Sequence, residues 1–234
     1  MRGVALDELN HQYAVGSSIG VSFWNGSWHS IGSSTFDTCY CILLNSSTDL
    51  YVGGSFTTIA GVSANKVAHW NGVHWSAVGT GPDTNNTVLC LAKDYLGNIY
   101  AGGDITGGIK KWTGSSWVSL DSGVNGVVRS IVCDSLNNVY VTGDFTDASG
   151  LMVKNIAKWD GVQWRGMYGP TSYGLNSTGY AITIDSLNNL YVGGSFNGVG
   201  NIISNCIIKS AGINWYSLNT PFIGTCYTLK FEVS

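Results

Sequence analysis

The 234-residue sequence predicts an all-β chain made of one four-stranded unit repeated in tandem. Three observations predict it. Charged residues are only 11% of the chain while glycines number 32, a composition that suits short strands and tight turns and disfavours helices. The segment "DSLNNLYVGGSF" (185–196) recurs as "DELNHQYAVGSS" (7–18), "NSSTDLYVGGSF" (45–56), "DYLGNIYAGGDI" (94–105) and "DSLNNVYVTGDF" (134–145). A Trp, a Gly-containing turn and a second Trp follow four of these copies; the fifth, "IKSAGINWYSL", keeps Gly212 and Trp215 but has Ser210 at the first Trp.

Each element of the unit follows from its residues. The apolar stretches "CYCILLN", "VLCLAKD", "VRSIVCD" and "YAITID" form an inner strand a that ends at the Asp or Asn. That residue stands six before a Tyr in every copy (Asp7/Tyr13, Asn45/Tyr51, Asp94/Tyr100, Asp134/Tyr140, Asp185/Tyr191). Its side chain is expected to cap the turn while a following Asn takes the left-handed conformation. Strand b is the "LYVGG" segment. A phosphate loop needs GxxxxGK[ST] leading into a helix, whereas these glycines lead into another strand, so they are read as letting the strand bend and a neighbouring ring pack on bare backbone. Strand c carries the first Trp and strand d the second, joined by a Gly turn.

Four strands recurring about every 45 residues are the signature of a β-propeller. The copies span 1–37, 38–85, 86–125, 126–177 and 178–224, and 225–234 opens a sixth strand a. The favoured reading is a single domain over 1–234 with five blades, the C-terminal strand docking into the first blade and displacing or flanking Met1–Leu6. The alternative is a fragment of a six- or seven-bladed propeller. The doublets Gly53-Gly54, Gly102-Gly103 and Gly193-Gly194, with Gly143 and Gly16 as partial matches and a Trp opening strand d, resemble propellers of the kelch and galactose-oxidase type. The chain is similar also to the "YVGGSFT…W(D/N)G…W" repeat proteins of bacteria and large DNA viruses. The resemblance implies the fold. It carries neither a kelch adaptor role nor a copper oxidase, since Trp holds the place of the kelch Tyr in strand c and the copper ligands have no counterpart.

Function classes narrow by exclusion. Net charge is −3 and the eleven Lys and Arg are scattered, which argues against nucleic acid, and no apolar run is long enough to insert in a membrane. The six cysteines show no CxxC pair, and the Asp-x-Leu-x-Asn turns place Leu where calcium needs an oxygen, so no metal and no cofactor are expected. His11, His29, His69 and His74 are isolated in sequence and no GxSxG elbow occurs, so no catalytic residue is assigned. "MRGVALDELN" lacks the apolar core of a signal peptide, and thiols favour a reducing compartment, cytoplasmic or virion-associated; a leader removed beforehand would leave the same appearance.

Two sets of residues stand out as binding candidates. Five before the Asp, strand a carries Arg2, Tyr40, Leu89, Arg129, Tyr180 and Tyr227; of these Arg2, Tyr40, Arg129, Tyr180 and Tyr227 are the candidate ligand-facing ring at one channel mouth, with packing between blades as the alternative role. Trp24, Trp70, Trp112 and Trp159 are candidate carbohydrate-stacking platforms, the alternative being a cross-strand pair with the second Trp. The long b–c loops of copies 2, 4 and 5 add an asymmetric rim suited to one partner. The expectation is a non-enzymatic binding or structural module, viral or surface-associated, with a protein partner. A lectin-like propeller with a glycan partner is the alternative, and a non-catalytic part of a larger enzyme the weaker one.

Overall fold

The computed structural model describes residues 2–7, 9–17, 20–32, 38–167, 174–212, 214–218 and 223–230. Five four-stranded antiparallel sheets occur among them. The first is β1 (Gly3–Leu6), β2 (Gln12–Gly16), β3 (Gly20–Trp24) and β4 (Trp28–Ser30). The second is β5 (Cys39–Ser46), β6 (Asp49–Gly54), β9 (Val67–Trp70) and β10 (Trp75–Ala77), with the small hairpin β7 (Thr58–Ile59) and β8 (Val62–Ser63) in its b–c loop. The third is β11 (Thr87–Lys93), β12 (Ile99–Asp104), β13 (Ile109–Trp112) and β14 (Trp117–Ser119). The fourth is β15 (Val127–Cys133), β16 (Val139–Asp144), β19 (Ile156–Trp159) and β20 (Trp164–Gly166), with the hairpin β17 (Asp147–Ala148) and β18 (Leu151–Met152). The fifth is β21 (Gly179–Ile184), β22 (Leu190–Gly194), β25 (Ile207–Ala211) and β26 (Asn214–Ser217), with the hairpin β23 (Gly198–Val199) and β24 (Ile202–Ile203). The three small hairpins fall in the three loops whose length the sequence singles out.

The chain groups into two compact units: Met1–Leu91 with Ile99–Thr106 and Lys110–Val118, and Ala92–Asn98 and Gly107–Ile109 with Ser119–Ser234. The core of the first unit packs Val15, Leu50, Val52, Phe56, Ile59 and Trp75, with a second cluster around Val67, Val88 and Ala101. That of the second packs Ile156, Leu175, Leu190, Val192, Phe196 and Trp215.

The repeated Asp makes its turn as expected. Asp134 Oδ1 accepts the Leu136 and Asn138 N–H, both at 2.9 Å, and Oδ2 accepts Asn138 Nδ2 at 2.6 Å and the Tyr140 hydroxyl at 3.0 Å. Asp185 repeats the pattern with Leu187, Asn189 and Tyr191. Asn10, Asn137 and Asn188 have φ 63°, and Gly97 takes the same place at 85°. The left-handed Asn also reaches back one repeat. Asn137 Oδ1 accepts the Tyr95 N–H at 3.0 Å, and Asn188 accepts the Ser135 N–H at 3.2 Å while donating to its hydroxyl at 2.8 Å. The second copy departs from the pattern: the turn closes between Ser46 and Asp49, and the carboxylate is Asp49, which accepts Asn45 Nδ2 at 2.9 Å and meets His69 Nε2 at 2.6 Å.

A second set of ties joins successive repeats. The strand-d Trp of one repeat donates its indole N–H to the carbonyl three residues beyond the strand-d Trp of the repeat before. Trp75 reaches Ile31 at 3.1 Å, Trp117 reaches Val78 at 2.8 Å, Trp164 reaches Leu120 at 2.9 Å and Trp215 reaches Met167 at 3.4 Å. A buried indole excludes a large apolar area and needs its one donor satisfied, so each tie supplies both conditions.

The first sheet's inner place is held by Gly3–Leu6, registered from Gly3↔Val15 to Leu6↔Gln12, so displacement of this strand is not what the structure shows. Residues 225–230 form no paired strand; Cys226 donates its N–H to the Gly194 carbonyl at 3.0 Å, and a Cβ on Gly193 would lie 2.6 Å from the Cys226 sulfur. All six cysteines are thiols.

Candidate functional site at the inner-strand bulges

The a–b registers contain the same irregularity three times. Cys39↔Gly54 is followed by Cys41↔Gly53, Val128↔Gly143 by Ser130↔Thr142, and Gly179↔Gly194 by Ala181↔Gly193. The extra residue of each bulge is Tyr40, Arg129 or Tyr180, three of the residues the sequence places in its candidate ring. A β-bulge breaks strict alternation and re-aims the side chain that it leaves unpaired. The glycine at the second doublet position is what permits it. A Cβ on Gly54, Gly143 or Gly194 would collide with the Thr38, Val127 or Thr178 carbonyl of the bulged strand. The ring that packs on bare backbone is the Phe two residues onward, with Phe56 Cδ1 2.9 Å from a Cβ built at Gly54 and Phe196 Cδ1 2.8 Å from one at Gly194. This second glycine thus serves the sheet's own inner strand first, a role beyond the strand bending read from sequence.

Side chains of the candidate ring, the bulge residues among them, stack in sequence order within each unit. In the first unit the Arg2 guanidinium lies 5.3 Å from the Tyr40 ring centre. In the second, that of Arg129 lies 5.0 Å from the Tyr180 ring, and Tyr180 meets Tyr227 with centroids 5.0 Å apart. Tyr227 is 69% exposed. Arg129 is held by Asp144, with Nε and Nη2 each 2.6 Å from Oδ2, and Thr178 donates its hydroxyl to the other carboxylate oxygen. Both side chains of this pair are about a third exposed, so it orients Arg129 more than it stabilises the fold, contributing at most about 1 kcal/mol. Asp144 is a residue that sequence reasoning missed; its signal is an acid directly after the strand-b glycine, fifteen positions from Arg129. The loop hairpins begin just beyond these strand ends and carry the exposed apolar side chains of Met152 and Ile203.

The tryptophans form cross-strand pairs in direct register, Trp24↔Trp28, Trp70↔Trp75 and Trp159↔Trp164, with ring centroids 5.4–5.6 Å apart in these and in Trp112/Trp117. Trp24 is exposed, while Trp70, Trp112 and Trp159 are half-buried against their partners. Each histidine has a local partner: His11 Nδ1 meets Asp7 Oδ2 at 2.9 Å, His29 meets Ser27 at 2.9 Å, His69 meets Asp49, and His74 meets Asn71 at 3.3 Å. Among the described residues no three His, Cys, Asp or Glu side chains converge as a metal ion would require.

Grooves open between successive sheets in both units, and two of them are built on a strand-b Tyr. One, of about 430 Å³, is lined by His11, Tyr13, Phe23, Ile31 and Trp70. The other, of about 310 Å³, is lined by Tyr140, Lys158, Arg165, Met167 and Trp215.

Four-stranded antiparallel sheets in tandem, with inner strands laid against one another, define a β-propeller, and solved structures share the fold. YCF48 bound to D1 peptide superposes with TM-score 0.61 at 13% identity, over 93% of this chain and 67% of that one. Virginiamycin B lyase from Staphylococcus aureus gives 0.64 at 15%, over 94% and 70%. The extracellular domain of BT4673 from B. thetaiotaomicron gives 0.60 at 14%, over 92% of this chain and only 27% of that one. No family model and no curated protein matches the sequence. At such identities the likeness is one of fold.

Proposed function

We infer that the protein is a non-enzymatic β-propeller, one domain of five blades, that binds a polypeptide partner at the bulge-presented side chains. The observation that carries this reading is the recurrence of the bulge at Tyr40, Arg129 and Tyr180, with Arg129 oriented by Asp144 over Tyr180, which in turn meets the exposed Tyr227. Aromatic and Arg side chains are the residue types enriched where protein partners are held. YCF48, a propeller of similar fold, is solved with a peptide, which supports a peptide as the class of ligand. A lyase shares the fold too, so the non-enzymatic reading rests on the residues: each histidine is engaged in a turn or a stacked pair. A kelch-like or viral repeat module is the finer kinship that the glycine doublets support.

Panning a random peptide phage library on the immobilised protein tests the reading. Enriched peptides should bind with an affinity that falls about tenfold or more in Arg129→Ala and Tyr227→Ala, with melting temperature unchanged. Failure to enrich any sequence, or enriched peptides indifferent to both substitutions, would overturn it. The exposure of Trp24 favours a glycan as the second reading. Glycan-array binding lost in Trp24→Ala would put the lectin reading in its place.

A further inference from the structure

The groove of the first unit has chemistry that the repeat does not require. Its floor carries Tyr13 and Phe23, in direct register, and the ladder of rings continues beyond the groove from Phe23 to His29. Their centroids are 6.2 and 5.2 Å apart and their planes within 29° and 28° of parallel. Trp70 and the backbone of Gly72 form the facing wall. At about 430 Å³ the space suits a small molecule.

The polar feature is His11. Its place, four after the turn Asp, is held by Asn98, Asn138 and Asn189 in the third to fifth copies, where the amide donates to the carboxylate at 2.6–2.7 Å. His11 does the same through Nδ1, and this has a consequence an amide lacks. Burial works to raise the Asp7 pKa, but hydrogen bonds from the His11 ring and from the His11 and Leu9 N–H outweigh it and hold the carboxyl below its ordinary range. An ionised carboxylate only accepts, so Nδ1 carries the hydrogen of this bond, and Nε2 is the acceptor of the ring whenever the ring is neutral. The His11 side chain is 38% exposed and lines the groove. Two of the hydroxyls lining the groove are already donating, Tyr13 to the Ser47 carbonyl at 2.8 Å and Ser30 to the Gly32 carbonyl at 2.7 Å. The groove therefore joins aromatic walls to an imidazole whose orientation the Asp7 bond fixes.

We propose that this groove binds a small, neutral, planar aromatic ligand bearing one hydrogen-bond donor, a phenol or an N–H heteroaromatic. Its ring lies between Phe23 and Trp70 and its donor on His11 Nε2. Anionic aromatics are disfavoured, because no Lys or Arg lines the groove and the Asp7 carboxylate stands behind the imidazole.

Titration with p-cresol and with toluene, followed by NMR on the His11 ring and the Trp70 indole N–H, tests the proposal. Both signals should move with p-cresol, which should bind about three- to tenfold more tightly than toluene, the worth of one net hydrogen bond. His11→Asn restores the amide of the other copies and keeps the Asp7 bond; it should fold normally, still admit toluene and lose the preference for p-cresol. Thr48→Trp, at the lip of the groove, should exclude both. No response at Trp70 to millimolar p-cresol, or a preference that survives His11→Asn, would overturn the proposal.

Discussion

The two grooves stand on one framework and offer opposite surfaces. Each has a strand-b Tyr on its floor and, at its base, a strand-d carbonyl that receives the next repeat's indole: Ile31 from Trp75 in one unit, Met167 from Trp215 in the other. Across the strands the floors diverge. Tyr13, Phe23 and His29 make a ladder of rings, whereas Tyr140 pairs with Lys158 and Lys158 with Arg165. Lys158 lies over the Tyr140 ring at 5.4 Å, and Arg165 is bound by Asp160, whose carboxyl is lowered to about 2 by hydrogen bonds from Arg165 and the Gln163 and Val162 N–H. The repeat fixes the turn, the tie and the buried ring. It leaves the outward positions of strands c and d free to make one groove neutral and aromatic and the other cationic.

The largest test strikes the shared framework. Trp75→Ala and Trp215→Ala remove equally buried rings, each 5% exposed, and both should cost about 3–5 kcal/mol in denaturant unfolding. Costs that differ by more than about 2 kcal/mol would mean that the two ties are not equivalent, since cavity relaxation accounts for a spread of that size. A middling effect should come from the turn carboxylates. Asp7 and Asp185 are both held below the ordinary range, burial opposing and turn hydrogen bonds prevailing. For a depressed carboxyl the stabilisation is present above the unfolded value of about 3.9 and is lost as pH falls through the folded value. Asp7→Asn and Asp185→Asn should each flatten the acid limb of stability against pH while lowering stability at neutrality by about 1–3 kcal/mol. An acid limb unchanged in either variant would show that its turn carries no such linkage. The smallest effect is expected of Lys158→Phe, which rebuilds the second floor as rings. It should shift stability by about 1 kcal/mol or less, the worth of an exposed cation–π contact, and let toluene into that groove. A larger loss would show that strand c is less free than the comparison holds.

Much of this framework was legible in the residues. The Asp, Asn and Tyr spacing announces the turn because every partner lies within six positions, and local hydrogen bonds leave local signatures. The b–c loops stood out by their unequal length, but the small hairpins inside three of them were not read from the sequence. The indole ties were not legible, because a backbone carbonyl about forty residues away has no side-chain signature. The candidate ring was drawn from Arg and Tyr recurring five before the turn residue, but the bulge at Tyr40, Arg129 and Tyr180 depends on strand register, which alternation alone does not give. The Tyr13–Phe23–His29 ladder was hidden for the same reason: its members are ten and six positions apart and meet only through pairing.

Each junction between repeats is half donor and half acceptor, and both halves belong to every unit that carries them. The left-handed Asn188 reaches back to Ser135, just as Asn137 reaches back to Tyr95. A duplicated copy therefore arrives already equipped to grip the one before it and to be gripped by the one after. Such a chain can lengthen or shorten by whole units without any new fastening having to be invented, while the outward strand positions drift toward whatever each new neighbourhood selects.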